Sequence, residues 1–365
     1  MAEFPLVPLG DLVLSQDGRR RPIRASERES GPFPYYGASG VIDSVSDYIF
    51  DGLHLLIAED GENLRTRKTA VAFLAEGKFW VNNHAHVVVA NEKADTRYLC
   101  YAVESSDISG FLTGSTQPKL TQAALQKLPV IAPPLPVQRA IADVLGALDD
   151  KIESNHRLAK TAADLCDQIF LAASDVQCQI SEAGQVTMGS SPPGDTYNTD
   201  GVGMPFYQGV TDFGFLSPTR RVWTTSPIRG AKVGETLVSV RAPVGRLNEA
   251  SEQCCIGRGV AAISSSFQTT LYYALRQADA VWATFEGEGT VFGSINKGDL
   301  EGARIAWISL DRISELENEL MDIHQCVRAS IRELHSLTSL RDALLPELLS
   351  GRLRVKDAES MMENV

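Results

Sequence analysis

The sequence predicts an α+β protein in which two similar globular domains are separated by two long antiparallel helices of the coiled-coil kind. Three observations predict this fold class. Motifs of the first half recur in order in the second half, each half ends in a heptad-like segment, and short apolar runs alternate with turn residues. We therefore expect a pseudo-two-fold internal repeat, with a mixed β-sheet and helices in each domain.

Four segments carry the repeat, at offsets of about 170 to 184 residues. The pairs are PYYGASG (34–40) with PFYQGVT (205–211), GLHLLIAEDG (52–61) with GETLVSVRAPVG (234–245), NNHAHVVVA (82–90) with CCIGRGVAAI (254–263), and STQPKLTQAALQKLPV (115–130) with TVFGSINKGDLEGARI (290–305). Few residues are identical, but the glycine, aromatic and apolar positions agree. A repeated fold is therefore expected.

The globular parts are predicted to contain short strands and matching helices. Strands are expected in the apolar runs LHLLIA, KTAVAFL, AHVVVA, TLVSV and GVAAI, which lie between Gly, Asn and Asp turns. Helices are expected at TRYLCYAVES and TTLYYALRQA, again at corresponding places in the two halves.

Two long helices are predicted from apolar residues that recur at alternating spacings of four and three. One seam runs from Val137 to Ile169 through Leu158 and Leu165, and the other runs from Ile313 to Leu348. Pro346 and Gly351 are expected to close the second helix. Ordinary packing of single helices in a core is the alternative. The predicted divisions are a domain at 1–133, a helix at 134–172, a domain at 173–308, a helix at 309–350 and a tail at 351–365.

Composition limits the class of protein. The chain has 365 residues, 44% of them hydrophobic, which is typical of globular domains. Its net charge of −12 argues against a simple polycationic nucleic-acid binder, so DNA binding would depend on local clusters. The six cysteines are scattered, no apolar run reaches membrane length and the first residues do not resemble a signal peptide, so a reducing cytoplasm and no membrane are expected.

Loops with arginines, lysines, amides and hydroxyls are the candidate DNA contacts, because guanidinium groups donate to phosphates and guanine edges while amides read base edges. Solvated surface loops, packed aromatic residues and helix caps are the alternative explanations. The candidates in the first half are Arg19, Arg20, Arg21, Arg24, Tyr36, Ser39, Asn63, Arg65, Arg67, Lys68, Asn82, Asn83, His84, Thr116, Gln117 and Lys119. Those in the second half are Gln208, Thr211, Arg220, Arg221, Arg241, Arg246, Arg258, Ser294, Asn296 and Lys297.

Catalytic signatures are missing from the sequence. There is no [DN]-P-P-[FY] motif for adenine methylation, no P-loop and no nucleophile elbow. His84 and His86, two residues apart on a predicted strand, have no evident third ligand, so no metal site and no cofactor are expected.

The segment LTGSTQPKLTQAALQKLPVIAPPLPVQRAIADVLGALDDKIE (112–153) closely resembles the end of a target-recognition domain and the start of the first central helix in specificity subunits of type I restriction-modification systems. LRDALLPELLSGRLRV (340–355) resembles the end of that family's second long helix. The second half departs from the pattern, because AWISLDRISEL replaces the Pro-Pro-Leu-Pro hinge. Its junction loop keeps Gly289, Thr290, Ile295 and Leu300 but loses Gln-Pro-Lys.

The resemblance implies a subunit without catalysis of its own. Each recognition domain would read one half of a split double-stranded DNA target, and the helices would set the spacing of the halves. The helices would also dock methyltransferase subunits that methylate adenine, and a translocase-nuclease subunit would cut unmodified DNA. Two other classes remain open from the residues alone, a coiled-coil scaffold that binds no DNA and a metal-dependent hydrolase.

Overall fold

A computed structural model describes residues 4–286 and 293–362. The described chain forms two compact units. The first unit comprises the chain up to Glu153 and from His335 onward, and the second unit runs from Ser154 to Leu334. Gly289 and Thr290 of the predicted junction loop lie outside the described residues, so only the later part of that loop is seen.

The first unit is built from short strands around two sheets. Its strands are β1 (Leu6–Pro8), β2 (Val13–Ser15), β3 (Phe33–Gly37), β4 (Gly40–Val45), β5 (Phe50–Asp51), β6 (His54–Ala58), β7 (Ala72–Ala75), β8 (Lys78–Val81), β9 (Ala85–Ala90), β10 (Leu112–Thr113), β11 (Lys119–Leu120) and β12 (Pro129–Ile131). Its helices are α1 (Asn63–Thr66), α2 (Thr96–Glu104), α3 (Gln122–Lys127) and the start of α4 (Leu135–Ala173). The larger sheets have the orders β2-β9-β6-β7 and β4-β3-β8-β5.

The second unit repeats this plan. Its strands are β13 (Val176–Gln179), β14 (Gln185–Met188), β15 (Tyr197–Asn198), β16 (Met204–Tyr207), β17 (Trp223–Thr224), β18 (Gly230–Ala231), β19 (Thr236–Ser239), β20 (Leu247–Glu249), β21 (Cys254–Ile256), β22 (Val260–Ser264) and β23 (Arg304–Trp307). Its helices are α5 (Ile180–Ala183), α6 (Gln268–Arg276), α7 (Asp279–Ala283), α8 (Lys297–Gly302) and the start of α9 (Ile313–Ser350). The chain returns to the first unit for α10 (Val355–Met362).

The two units share one topology, which confirms the predicted internal repeat. The antiparallel sheet β2-β9-β6-β7 corresponds to β14-β22-β19-β20, and β1 pairs with β12 as β13 pairs with β23. Each unit also contains one parallel strand pair, β3 with β8 and β16 with β21. The predicted helices appear at matching places as α2 and α6. The α+β fold class is therefore confirmed.

The central strands are buried on both faces, which explains why the sequence shows continuous apolar runs instead of alternation. All five residues of β6 are buried. Successive side chains of a strand point to opposite faces, so Leu55 and Ile57 join one core cluster while Leu56 joins the other. In the second unit Val238 likewise joins one core cluster, while its neighbour Leu237 joins another.

The first unit holds the beginning of α4 against the end of α9. Arg341 of α9 forms a salt bridge with Asp149 of α4 at 3.0 Å, and Leu348 further along α9 lines a cavity together with Ile141 nearer the start of α4. The order of these contacts makes the two segments antiparallel. Helix α9 continues through Pro346 to Ser350, so the prediction that Pro346 closes the helix is wrong, whereas Gly351 follows the last turn with a φ of +74°.

The second unit holds the end of α4 against the beginning of α9, also antiparallel. The Cys166 thiol lies 3.9 Å from the Leu320 carbonyl, and Arg312 donates to the Ala173 carbonyl at 3.4 Å. Along this part of α4 the buried residues are Asn155, Ala159, Ala162, Ala163, Cys166, Asp167 and Phe170.

The prediction that Leu158 and Leu165 lie in the packed seam of α4 is wrong. Their exposed fractions are 48% and 50%. Most residues on the buried face of this segment are small instead, such as Ala159, Ala162 and Ala163. Small side chains let neighbouring elements approach the helix closely.

A buried chain of hydrogen bonds joins α9 to α6 and to β20. The His324 ring lies 2.8 Å from both the Tyr273 hydroxyl and the Glu249 carboxylate, on its two different nitrogens. Arg328 forms a further salt bridge with Glu249 at 2.8 Å. Burial by itself raises the pKa of Glu249, but the hydrogen bonds from His324 and Arg328 outweigh burial and hold this pKa below its ordinary value.

We expect Glu249→Gln to lower the free energy of unfolding at pH 7 by about 3 kcal/mol, because removing one member of a buried ion pair leaves its partner uncompensated. A depressed carboxyl pKa stabilises the fold above the ordinary value of 4.5, and this contribution is lost as the pH falls through the folded value. The difference between the wild type and the variant should therefore shrink at about pH 4. Urea unfolding at both pH values measures it.

The exposed Glu315 on α9 provides the matched control. Glu315→Gln should change stability by less than about 0.5 kcal/mol. Equal effects of the two substitutions would contradict a stabilising role for the buried chain.

Candidate nucleic-acid interface

The parallel strand pair of each unit brings two loops together. Because the strands of a parallel pair point the same way, their carboxyl ends meet at one edge. In the first unit Tyr36 pairs with Val81, so the turn after β3 lies beside the turn after β8. In the second unit Tyr207 pairs with Ile256, with the same result.

Main-chain hydrogen bonds attach two further loops to this edge. In the first unit the Glu59 amide donates to the His84 carbonyl at 2.9 Å, and the Leu120 amide donates to the Glu59 carbonyl at 2.8 Å. In the second unit the Val240 amide donates to Gly259, and the Ile295 amide donates to Val240, both at 3.0 Å. The bonds are equivalent, so the edge is part of the repeated framework.

We define the first loop edge as residues 37–40, 59–61, 82–84 and 117–120, and the second loop edge as residues 208–211, 240–242, 257–259 and 293–296. All four echoed segments thus meet in space within each unit, and they bring candidates from three segments together in the first unit and from four in the second. The members at the first edge are Ser39, Asn82, Asn83, His84, Gln117 and Lys119, with Thr116 next to them. The members at the second edge are Gln208, Thr211, Arg241, Arg258, Ser294 and Asn296.

Arg20 is a framework residue, although the sequence marks it as a DNA contact. Its side chain is 14% exposed and forms a salt bridge with Glu59 at 2.6 Å and one with Asp17 at 3.4 Å. It also donates to the Ala85 carbonyl at 2.8 Å. A guanidinium group held in this way has few donors left for phosphate.

Glu59 and Asp17 form the centre of this buried network. Burial raises the pKa of each carboxyl, but hydrogen bonds from Arg20 and Lys119 to Glu59, and from His86 to Asp17, outweigh it, and both pKa values lie below their ordinary values. Sequence reasoning gave neither acid this role, because Glu59 meets Arg20 from 39 residues away and Asp17 meets His86 from 69 residues away.

The two histidines have different surroundings. His86 is buried between Asp17, at 2.6 Å, and the Leu120 carbonyl, at 2.7 Å. His84 precedes β9, is half exposed and lies 2.8 Å from Asp60. Among the described residues, no group of three or more His, Cys, Asp or Glu side chains is arranged to hold a metal ion.

Three other candidates of the first unit also hold loops in place. Arg67, in a left-handed conformation with a φ of +45°, donates to the carbonyls of Glu104 and Ser106. Arg65 donates to the Gly114 carbonyl at 2.9 Å. Both ends of the Asn63 amide bond to the Thr69 main chain, at 2.9 and 3.0 Å, which argues against a direct contact with adenine.

Of the remaining candidates of the first unit, Arg21, Lys68 and Arg24 are available to a ligand, whereas Arg19 and Tyr36 contact other residues. Arg21 and Lys68 are exposed, and neither side chain has a hydrogen bond or salt bridge with the described residues. Arg24 is 84% exposed, and its salt bridge with the exposed Glu27 is long, at 3.8 Å. Arg19 bonds to the Ile49 carbonyl and covers the Phe50 ring. Tyr36, a candidate DNA contact, is half-buried against the Phe73 and Phe79 rings, as the alternative of a packed aromatic residue predicts.

The second unit has both paired and unpaired cations. Arg220 binds Glu252 and Arg221 binds Asp212, at 2.6 and 2.8 Å, while Lys297 lies 3.4 Å from Glu301. Asn296 caps α8 by accepting from the Asp299 amide, as the capping alternative predicts. Arg241, Arg246 and Arg258 are exposed and have no side-chain partner within residues 4–286 and 293–362.

The two loop edges differ in charge at an equivalent position. A β-bridge joins Asp60 to Lys119 in the first unit and Arg241 to Ser294 in the second. The first edge therefore presents acid and base together, whereas the second presents an unpaired arginine. One framework thus carries two different sets of polar side chains, as expected if the two edges contact different base sequences.

Known proteins resemble this chain in sequence and in fold. A family profile described as the type I restriction modification DNA specificity domain matches residues 1–162. A putative type I restriction enzyme specificity subunit from Haemophilus influenzae is 40% identical over 147 residues, which are 40% of this chain and 38% of that protein. The putative MjaX specificity subunit from Methanocaldococcus jannaschii is 29% identical over 267 residues, 66% of this chain and 63% of that protein.

This chain thus spans between about two fifths and two thirds of the length of these two relatives. The crystal structure of a type I S subunit from M. genitalium matches the fold with a TM-score of 0.69, covering 94% of this chain and 96% of that chain at 14% identity. Together the family profile and the two relatives confirm the resemblance found in the sequence: residues 1–162 match the type I DNA specificity domain, and the chain is similar to specificity subunits of type I restriction-modification systems.

Proposed function

We propose that this chain is a non-catalytic DNA-recognition subunit, in which each loop edge reads one half of a bipartite double-stranded DNA target. The observation that carries the proposal is the duplicated edge, built by equivalent main-chain bonds but lined by different polar side chains. Unpaired cations beside each edge, Arg21 in the first unit and Arg258 in the second, suit phosphate contacts that position a duplex. The five-segment division drawn from the sequence stays part of this proposal.

The proposal includes protein partners. Methyltransferase subunits that methylate adenine would dock on α4 and α9, and a translocase-nuclease subunit would join them to cut unmodified DNA. Leu158 and Leu165, which are half exposed on α4, support docking of a protein on this helix. A DNA substrate of this kind places the chain in the cytoplasm. No helix among the described residues is long and apolar enough to cross a membrane.

A scaffold without DNA binding is the second candidate, because the net charge is −12 and many arginines are paired with acids. The two candidates are separated by methylome sequencing of cells that express the chain with its methyltransferase subunit, against cells with the methyltransferase alone. A split adenine motif that requires the chain establishes the recognition role. Absence of such a motif, with the complex shown to form, supports the scaffold.

We expect Arg21→Ala and Arg258→Ala each to weaken DNA binding and to reduce the slope of log K against log salt concentration by about 0.9, because each removes one phosphate contact. Arg21 lies at the end of β8, where its amide donates to the Val81 carbonyl, and Arg258 lies in the second loop edge. Fluorescence anisotropy of the complex with its methyltransferase subunits, at several salt concentrations, measures both quantities.

The control is Lys93→Ala. Lys93 is also exposed, but it follows the opposite end of β9 from the first loop edge. It should leave the affinity and the slope unchanged. Equal slopes for Lys93→Ala, Arg21→Ala and Arg258→Ala would show that the arginines make no phosphate contact.

We also expect the helix length to set the distance between the half-sites. Four residues inserted after Glu153 in α4 and four after Leu334 in α9 leave the internal packing of each unit intact. They add about 6 Å of helix at 1.5 Å per residue, against about 3.4 Å per base pair. The methylated motif should keep its half-sites and gain one or two base pairs of spacer.

A four-residue insertion after Gly201, in an exposed turn of the second unit, serves as the control and should not change the spacer. An unchanged spacer in the helix variant would refute the role of the helices as a ruler.

A further inference from the structure

An apolar side chain and an amide donor meet at the tip of the β3–β4 hairpin. A Cβ atom built on Gly37 would lie 3.1 Å from Ile42 Cδ1 and 3.3 Å from Asn82 Nδ2. These two atoms are therefore at most 6.4 Å apart, the sum of 3.1 and 3.3 Å. Ile42 is 50% exposed, so half of its apolar side chain is available to a ligand. The pair lies in and beside the first loop edge.

The orientation of the Asn82 amide is fixed by the main chain. The His84 amide donates to Asn82 Oδ1 at 2.7 Å, and an N–H group can only meet the oxygen of the side chain. Nδ2 has no hydrogen-bond partner among the described residues. Asn82 as a whole is only 5% exposed, but its Nδ2 is not among the fully buried unpaired side-chain atoms of those residues, which are Asn155 Nδ2 and Thr270 Oγ1, so a small part of this donor faces solvent. Asn82 can therefore donate to a base from Nδ2, while the His84 amide already occupies one lone pair of its oxygen.

The four bases differ in how well their major-groove edges match a hydrogen-bond donor that has an apolar neighbour. Cytosine offers only a donor there, so it gives Asn82 nothing to bind. Guanine and adenine offer an acceptor, but their second polar group would lie against Ile42 without a partner. Thymine offers the O4 acceptor and, on the adjacent ring carbon, an apolar methyl group. A hydrogen bond of about 2.9 Å and an apolar contact of about 4 Å both fit the short separation of the two side chains.

We propose that Ile42 and Asn82 together select a thymine in the half-site read by the first unit, Asn82 donating to O4 and Ile42 covering the C5-methyl group. This inference rests on the proposed function and names part of its specificity. Gly37 contributes by leaving the space between the two side chains unfilled.

The second unit does not have this pair. The Asn82 amide donates to the Tyr36 carbonyl at 3.0 Å, and in the equivalent bond the Gly257 amide donates to the Tyr207 carbonyl at 2.8 Å. A glycine thus stands where the first unit has the amide donor. The thymine preference is therefore a property of one half-site and not of the shared framework.

The test is a substitution of deoxyuridine for thymine, one position at a time, across the methylated motif. Deoxyuridine keeps O4 and lacks only the methyl group. The full complex of the chain with its methyltransferase subunits is assayed for methylation of each DNA. We expect one position of one half-site to lose about fourfold in methylation rate at low DNA concentration, the effect of one buried methyl group.

The variants assign this effect to the two side chains. In Ile42→Ala the penalty for deoxyuridine at that position should vanish, because the contact with the methyl group is gone. Val41→Ala, at the neighbouring exposed position, should keep the full penalty, because Ile42 and not Val41 lies against Gly37 beside Asn82. Asn82→Asp keeps the oxygen that accepts from His84 but loses the donor, so methylation at this motif should fall at least tenfold.

Several results would overturn the inference without touching the proposed function. They are a split motif with no position sensitive to deoxyuridine, a deoxyuridine penalty that persists in Ile42→Ala, or an undiminished rate in Asn82→Asp. Failure of the proposed function gives a different result, because no motif then depends on the chain at all.

Discussion

Parallel pairing of two short strands in each unit is the constraint on which the rest of the candidate interface depends. A parallel pair needs a long crossover between its strands, and that crossover contributes β6 and β7 in the first unit and β19 and β20 in the second. The crossover returns to the same edge, where the main chain of Glu59 or Val240 bonds to the turn after the second strand. Four loops distant in sequence are thereby collected at one place in each unit.

The fold was largely predictable from the sequence because the repeat constrains it twice. Two independent sequences with the same order of glycines, aromatics and apolar runs have few folds in common, and the strands at LHLLIA and GVAAI appear as β6 and β22. The seam of α4 was only partly predictable. Leu158 and Leu165 continue the heptad pattern, but Ala159, Ala162 and Cys166 occupy the packed face. Hydrophobic periodicity favours the larger side chains, whereas close packing favoured the smaller ones.

The candidate site was predictable as a set of segments but not as a set of side chains. The segments follow from the repeat, and the structure brings them together. Whether a given arginine can contact DNA depends on acidic partners that lie too far away in the sequence to be recognised there. Arg20 meets Glu59 from 39 residues away, and Arg220 meets Glu252 from 32 residues away. Arg258 and Arg220 look alike in the sequence, and only the fold distinguishes the unpaired guanidinium from the neutralised one.

The second loop edge is held mainly by main-chain bonds and glycines, together with the Asp212 carboxylate, which accepts from the Gln208 amide at 2.7 Å. A Cβ atom at Gly259 would come within 2.3 Å of the Gln208 carbonyl, so the glycines are fixed, while the side chains of Gln208, Arg258 and Ser294 project without structural duties. The first edge is different, because Glu59 forms salt bridges there with both Lys119 and Arg20. We therefore expect the two units to acquire new DNA specificities in different ways. Single substitutions should suffice in the second unit, whereas the first unit should require coordinated changes.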